Sequence, residues 1–347
     1  MSLEDLLRRM SREGSLVEPG PGGTLRCLAC GHRCVVPEGR SGVCKVRFNV
    51  AGKLMVPDGY VAGLQIDPIE KKPFYHVRPG SRTLSFGMLG CDYHCRFCQN
   101  WLSSQALRDP ASSARPQECS AAQLIQLAKE GGAPIVTSTY NEPLITGEWA
   151  VEVFRLAKAA GLRTALVSNG NATPEALANL KPWLDFCKVD LKGFDDARYR
   201  RVTGGALAPV LETIAALPGL GVWVEVVTLV IPGFNDSDEE LRKLTAFLAS
   251  VSKDIPWHAT GFHADYRMTE TPDTPAETLL RAAAIGKAEG LRYVYTGNRP
   301  GMGRWEDTAC HRCGVPLIER AGFTVKANRL KGGACPDCGE KIPGVWN

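Results

Sequence analysis

Little in this chain of 347 residues points to a charged partner. Lysine and arginine number 41 against 37 aspartate and glutamate, a formal net charge of +4, and there is no long basic run and no basic stripe interleaved with aromatics. A nucleic-acid partner is therefore not expected, and an RNA- or protein-binding module stapled by metal stands only as the alternative from another class. Also missing is any apolar stretch of membrane-spanning length. The opening MSLEDLLRRMSREGS carries charges throughout, unlike a secretory leader. The expectation is a cytoplasmic protein without a membrane partner. Hydrophobic residues at 44% and charged residues at 22% are ordinary for a chain that buries one sizeable core plus appendages.

Cysteine, by contrast, is abundant, with thirteen residues. In a short secreted chain that number would suggest disulfides. Here eleven fall into three tight clusters with metal-ligand spacing, which fits a reducing compartment and metal ligation better. Cys119 and Cys187 are left as plain thiols, the second as filler in the apolar strand FCKVDL. The most informative cluster is Cys91, Cys95 and Cys98 in GCDYHCRFCQNW, directly after the strand-like LSFGML. Cubane iron–sulfur clusters usually take four cysteines, so three leave one iron able to bind something else. An open coordination position separates a catalytic metal site from a structural one. A zinc site completed by His94 is the weaker reading, because His94 adjoins Cys95 and cannot easily reach the same ion.

The other two clusters flank the middle of the chain. At the back, Cys310-x2-Cys313 and Cys335-x2-Cys338 enclose the hairpin-like PLIERAGFTVKANRLKGG and read as a zinc ribbon, a closed structural site without which the segment has no core. At the front lies Cys27-x2-Cys30-x3-Cys34-x9-Cys44. Zinc is preferred there, although four cysteines could equally hold a second iron–sulfur cluster that relays electrons. Three units follow: a front extension over 1–80, a central region over 81–300 and the ribbon over 301–347.

The central region alternates apolar strands (84–89, 134–140, 164–169, 186–192, 222–231, 258–263 and an edge strand at 293–298) with amphipathic helices. Thr173-Pro174 reads as an N-cap with proline at N1; Ser237-x-x-Glu240 and Thr274-x-x-Glu277 read as capping boxes. Continuous apolar strands between helices imply an α/β fold with a parallel sheet covered on its outer face. Periodicity alone does not separate a partial barrel from a doubly wound sheet. In a barrel, functional groups gather at the C-terminal strand ends, which directs attention to Glu142, Ser168, Asn169, Asp190, Lys192, the segment 230–236 with Asn235, and His258 and His263. A solvated glutamate, an ordinary turn, an ion pair and structural histidines are the respective alternatives.

With Phe97 before its last cysteine, the C-x3-C-x-aromatic-C run resembles the signature of radical S-adenosylmethionine (SAM) enzymes. The resemblance implies a partial (β/α)6 TIM-like barrel and a 4Fe–4S cluster whose free iron chelates SAM. Reductive cleavage of SAM then yields methionine and a 5′-deoxyadenosyl radical that abstracts hydrogen from a substrate. Similarity to pyruvate formate-lyase activating enzymes implies that Phe97 packs beside the adenine and that Glu142 holds the SAM ammonium, although Tyr140 and Asn141 stand where those relatives have glycines. It further implies that Ser168 and Asn169 bond the methionine or ribose portion, that Asp190-Leu191-Lys192 matches their Asp-x-Lys, and that the strand end with Asn235 contacts adenine. Together with the front cysteines, DPIEKKPFYH (67–76) and the ribbon, the chain resembles the AmmeMemoRadiSam-system radical SAM enzymes. That likeness implies Memo-like and AMMECR-like partners and a one-electron donor such as flavodoxin or ferredoxin. A narrower expectation is a glycyl-radical-enzyme activase. Those activases place extra cluster cysteines after the C-x3-C-x2-C motif, whereas here the additional four precede it.

Overall fold

Strands of mostly β-branched and apolar residues, alternating with amphipathic helices, build one eight-stranded sheet in the computed structural model, which describes residues 2–347. Its strands are β1 (Gly63–Pro68), β2 (Arg82–Gly87), β3 (Ile135–Ser138), β4 (Arg163–Ser168), β5 (Phe186–Asp190), β6 (Trp223–Val230), β7 (Trp257–Gly261) and β8 (Val294–Gly297). They lie in sequential order across the sheet; β2 to β8 are parallel, and β1 runs antiparallel to β2. A doubly wound sheet must reverse its order somewhere, and this one never does. With right-handed crossovers, a monotonic order places all connecting helices on one face. These are α1 (Ala121–Glu130), α2 (Gly147–Ala159), α3 (Pro174–Leu180), α4 (Asp196–Thr203), α5 (Ala208–Gly219), α6 (Asp238–Val251) and α7 (Ala276–Ala288). The other face is left for a site.

Two elements escape hydrophobic periodicity. Strand β1 lies inside the stretch assigned to the front extension, so the chain joins the sheet at Gly63 and not at residue 80. Helix α4 (DARYRRVT) is too polar to show a stripe, yet Asp195 caps its start and Gly204, at φ +80°, ends it. Helix starts also differ in detail. Thr173 caps α3 through the Ala176 N–H, whereas Ser237 caps α6 without the reciprocal bond, because Glu240 instead accepts from the Phe194 N–H at 2.7 Å. Thr274 is not a cap: α7 begins after Pro275, and the Thr274 hydroxyl bonds the Val230 carbonyl.

The loop after β1 closes the sheet at its N-terminal end, where Ile69, Phe74 and Val77 pack on Ile135, Ala165 and Phe186 at the starts of β3, β4 and β5. The C-terminal module docks nearby. Its strands β9 (Thr308–Ala309), β10 (Pro316–Ala321) and β11 (Thr324–Asn328) form an antiparallel sheet, and its Leu317, Ile318 and Ile342 share a core with Tyr75, Tyr293 and Tyr295. The front extension packs into the main core through Cys27, Leu28, Val36 and Cys44. Among the described residues, no single helix is long and apolar enough to cross a membrane; one pair bent by 101°, α4 with α5, passes on length and composition.

Candidate active site at the C-terminal strand ends

The cysteine loop leaves β2 through Gly90, whose φ of +92° only glycine adopts freely; a Cβ there would lie 2.9 Å from Val46 and 3.1 Å from the Cys44 carbonyl. The loop is then pinned to the end of α4: His94 N–H donates to the Thr203 carbonyl at 2.8 Å and Arg96 N–H to Val202 at 3.2 Å. His94 is thus held against Gly204, not beside the sulfurs as a fourth ligand. Burial pushes the Cys91 and Cys98 thiols up and Cys95 up to about 12, so thiolates form here only when a metal takes them.

Cys91, Cys95 and Cys98 line a cavity of about 420 Å³ on the open face of the sheet. Its walls come from the strand ends in turn: Tyr140 and Glu142 after β3, Ser168 and Asn169 at β4, Lys188, Asp190 and Lys192 at β5, then Leu229, Thr260 and Asn298. Tyr140 holds the left-handed φ of +71°, the conformation glycine supplies most easily. The backbone shape is therefore kept without the glycine, with Lys72 lying over the Tyr140 ring at 4.6 Å and bonded to its hydroxyl at 3.2 Å. Asn141 ties the β2 and β3 ends together by accepting from the Met88 N–H at 2.9 Å.

Glu142 is the central group. It is 2% exposed and accepts from the Ser168 hydroxyl (2.7 Å), the Asn169 N–H (2.8 Å) and the Leu144 N–H (3.0 Å). Burial, assisted by the charge of Asp92, raises its carboxyl to about 8. No lysine or arginine pairs with it among the described residues. A buried carboxylate lacking a cation is complementary to a ligand ammonium, which would restore its ionised form. Asp92, which sequence reasoning missed, completes the network by accepting from the Asn169 (2.7 Å) and Asn171 (2.8 Å) amides. Ser168 and Asn169 thus line the cavity while also orienting two carboxylates.

At β5, Asp190 receives bonds from Lys188 and from Lys192, the latter at 3.2 Å. Burial alone would raise the Asp190 carboxyl, but the two ammoniums outweigh it and hold it at about 2. Burial likewise opposes the Lys192 charge, and Asp190 and Cys95 together raise its pKa well above the usual lysine value. The ion pair and the cavity-facing placement therefore coexist. Phe97 is buried at the cavity, its ring 6.1 Å from Phe234 and 6.0 Å from the Lys192 ammonium.

Three expected residues lie elsewhere. Asn235 does not line the cavity; its amide donates to the Lys192 and Leu229 carbonyls and accepts from the Ile231 N–H, which fixes the loop after β6. His258 sits near the start of β7, bonded to Glu225 at 2.7 Å and fully buried at the opposite end of the sheet. His263 is exposed. Conversely, Lys71, Lys72, Lys188 and Phe323 line the cavity unannounced. Lys188 was accessible to the alternation rule that found Asp190 and Lys192, since all three share one face of the strand. Phe323 carried no signal, because it stands at the tip of the C-terminal hairpin.

The three cysteine clusters differ in geometry. The Sγ atoms of Cys310, Cys313, Cys335 and Cys338 all lie within 4.8 Å of one another, with Cys310–Cys338 at 3.6 Å and Cys313–Cys335 at 3.7 Å. Tetrahedral thiolates about 2.3 Å from one zinc would be separated by about 3.8 Å. Among the described residues this is the one cysteine group that compact; neither Cys91, Cys95 and Cys98 nor any three of Cys27, Cys30, Cys34 and Cys44 converge so closely. Thiolates bound to different irons of a cubane stand farther apart than ligands of one ion, so the wider cavity set suits a cluster.

A family profile described as the radical SAM superfamily matches residues 87–245, from the end of β2 into α6. The segment that carries the cysteine loop and the strand ends after β2 to β6 is thus similar to the radical SAM superfamily. Radical SAM proteins are enzymes, and similarity to them points to a 4Fe–4S cluster and SAM. The chain is 36% identical over 335 residues to an uncharacterized protein of Methanocaldococcus jannaschii, covering 95% of this chain and 98% of that one. It is homologous to the pyruvate formate-lyase-activating enzyme of Clostridium pasteurianum (26% over 198 residues, 53% of this chain and 79% of the relative). It is also homologous to the isethionate sulfite-lyase activating enzyme of Nitratidesulfovibrio vulgaris (28% over 171 residues, 47% and 54%). Among solved structures, a domain of the pyruvate-formate lyase-activating enzyme from Bacteroides vulgatus aligns with TM-score 0.43 and 18% identity, covering 47% of this chain and 98% of that one.

Proposed function

We propose that the chain binds a 4Fe–4S cluster through Cys91, Cys95 and Cys98 and uses it to cleave SAM, with hydrogen abstraction from a substrate not yet identified. When bound, the cluster and SAM together supply one-electron cleavage of the sulfonium and a 5′-deoxyadenosyl radical. The observation that carries the reading is Glu142: a buried, cation-free carboxylate facing the same cavity as three cluster-spaced cysteines. Glu142 binds the SAM ammonium, with Ser168 and Asn169 holding it in place. Lys192, steadied by Asp190, takes the carboxylate or ribose side, and Phe97 packs beside the adenine. The apolar walls at Val167, Val227 and Leu229 exclude water from a reactive carbon centre.

The sequential parallel strands support a partial (β/α)6 barrel extended by β8 and edged by β1. The compact C-terminal sulfurs support a zinc ribbon. The flanking modules and DPIEKKPFYH support a place among the AmmeMemoRadiSam-system enzymes, with Memo-like and AMMECR-like partners, a flavodoxin or ferredoxin as electron donor and a cytoplasmic setting. Anaerobically reconstituted protein given dithionite and SAM should form 5′-deoxyadenosine, and Cys95→Ala should abolish it together with the brown chromophore. Intact cluster without that product would refute the reading.

A second reading, removal of hydrogen from a partner enzyme's glycine, is favoured by homology to the two activating enzymes. A glycyl-radical resonance in a copurifying protein would select it.

A further inference from the structure

We propose that Cys27, Cys30, Cys34 and Cys44 hold a second iron–sulfur cubane, fully ligated by the protein and placed to pass electrons to the cavity cluster. The site stands on its own residues; the relay role rests on the reading of Cys91, Cys95 and Cys98 given above. Three observations converge.

The first is spread. A single tetrahedral ion draws four sulfurs to within about 4 Å of each other; the C-terminal sulfurs all lie within 4.8 Å, whereas no three of the front sulfurs form such a group. They share that wider spacing with the cavity cysteines. They still surround one buried spot: Cys27, Cys30 and Cys44 are each 5% exposed, Cys34 is half-buried, and the Cys27 N–H bonds the Cys34 carbonyl at 2.9 Å.

The second is the lining. The Val43 N–H points at Cys34 Sγ from 3.4 Å. Arg47 is 1% exposed, donates two bonds to Glu148 and one to the Ile145 carbonyl, and keeps a buried Nε–H with no acceptor in the protein. A buried guanidinium with a spare donor beside Cys44 suits an anionic group carrying acceptor sulfurs.

The third is position. The Cys44 carbonyl packs against Gly90, the residue before Cys91, and Arg108 bridges the two sets by donating to the Val43 and Cys91 carbonyls. The front module is also tied to the end of β4: Gly31 N–H donates to the Asn171 carbonyl at 2.9 Å, and the Thr173 hydroxyl bonds the Leu28 carbonyl. The two cysteine loops therefore touch at Gly90 and share Arg108. A ferredoxin-class donor gives one electron to the front cluster, reducing it from 2+ to 1+. The front cluster passes that electron on to the cavity cluster and returns to 2+. With four cysteine ligands it has no open iron and does not bind SAM.

The test is metal and acid-labile sulfide content, with EPR, on anaerobically reconstituted full-length protein and on C91A/C95A/C98A, which leaves the front module untouched. Wild type should hold about eight irons and about eight sulfides, and the triple variant about four of each, two sets of 4Fe–4S against one. The variant's reduced signal should not change on adding SAM. Any result in which the variant holds no sulfide-matched iron, with zinc or without, overturns the assignment; one iron without sulfide counts the same way, since a lone iron in the C-terminal site would give it. A wild-type protein insensitive to SAM, with iron and sulfide retained in the variant, would defeat the proposed function and leave this site standing.

Discussion

The two flanking modules each bring four cysteines, yet they meet the sheet at opposite ends and by different chemistry. The front module reaches the C-terminal strand ends and is locked by the Arg47–Glu148 pair, bidentate at 2.7 and 2.8 Å and almost wholly buried. The C-terminal module reaches the strand starts and is locked by a hub around Glu225. That carboxylate accepts from the Tyr75 and His76 N–H groups and from His258, while the His76 ring bonds the Tyr295 hydroxyl and the Pro343 carbonyl, each at 2.6 Å. The contrast teaches that similar cysteine counts serve different ends. One module carries its sulfurs spread and next to the cavity; the other draws them tight, far from it except at the Phe323 tip.

Breaking the front lock should have the largest effect. Arg47→Ala leaves a buried, unpaired Glu148 and should cost about 3–5 kcal/mol in chemical denaturation. Replacing both partners by apolar residues should recover most of that loss, whereas a loss under about 1 kcal/mol for the single change would remove the ion pair from the account.

Acid should then separate the modules. Burial lowers His76 from 6.5 to about 4, so between those values the unfolded chain binds more protons than the folded one. Stability is therefore full above pH 6.5 and falls as pH drops toward 4, by about 2 kcal/mol at pH 5. Glu148 works in a lower window: burial opposes its charge, but Arg47 outweighs that and holds its carboxyl below the ordinary 4.5, so its contribution is lost only as pH falls below that value. Limited proteolysis at pH 5 should release the C-terminal module before the front one, and His76→Gln should flatten the pH dependence. Simultaneous release would erase the distinction. The smallest effect is expected at the hairpin tip, where Phe323 is 46% exposed; Phe323→Ala should change stability by less than about 0.5 kcal/mol.

Most of the fold was legible because its strands are continuous apolar runs and its helices are striped. Strand order was not, since the same alternation serves a singly or a doubly wound sheet, and only pairing decides. At the site, Cys91, Cys95, Cys98, Glu142, Asp190 and Lys192 announced themselves through spacing or strand-end position. Asp92 stayed hidden because its importance lies in two asparagines some eighty residues away. Asn235 and His258 misled for the converse reason: a polar residue near a strand end serves the backbone or a buried carboxylate as readily as a ligand.

The central claim is a cluster on Cys91, Cys95 and Cys98 with one iron open to SAM, and EPR of the dithionite-reduced protein with and without SAM addresses it directly. SAM should shift the g-values of the wild-type spectrum, and no such shift should occur in C91A/C95A/C98A. A wild-type spectrum that SAM leaves unchanged would contradict the account.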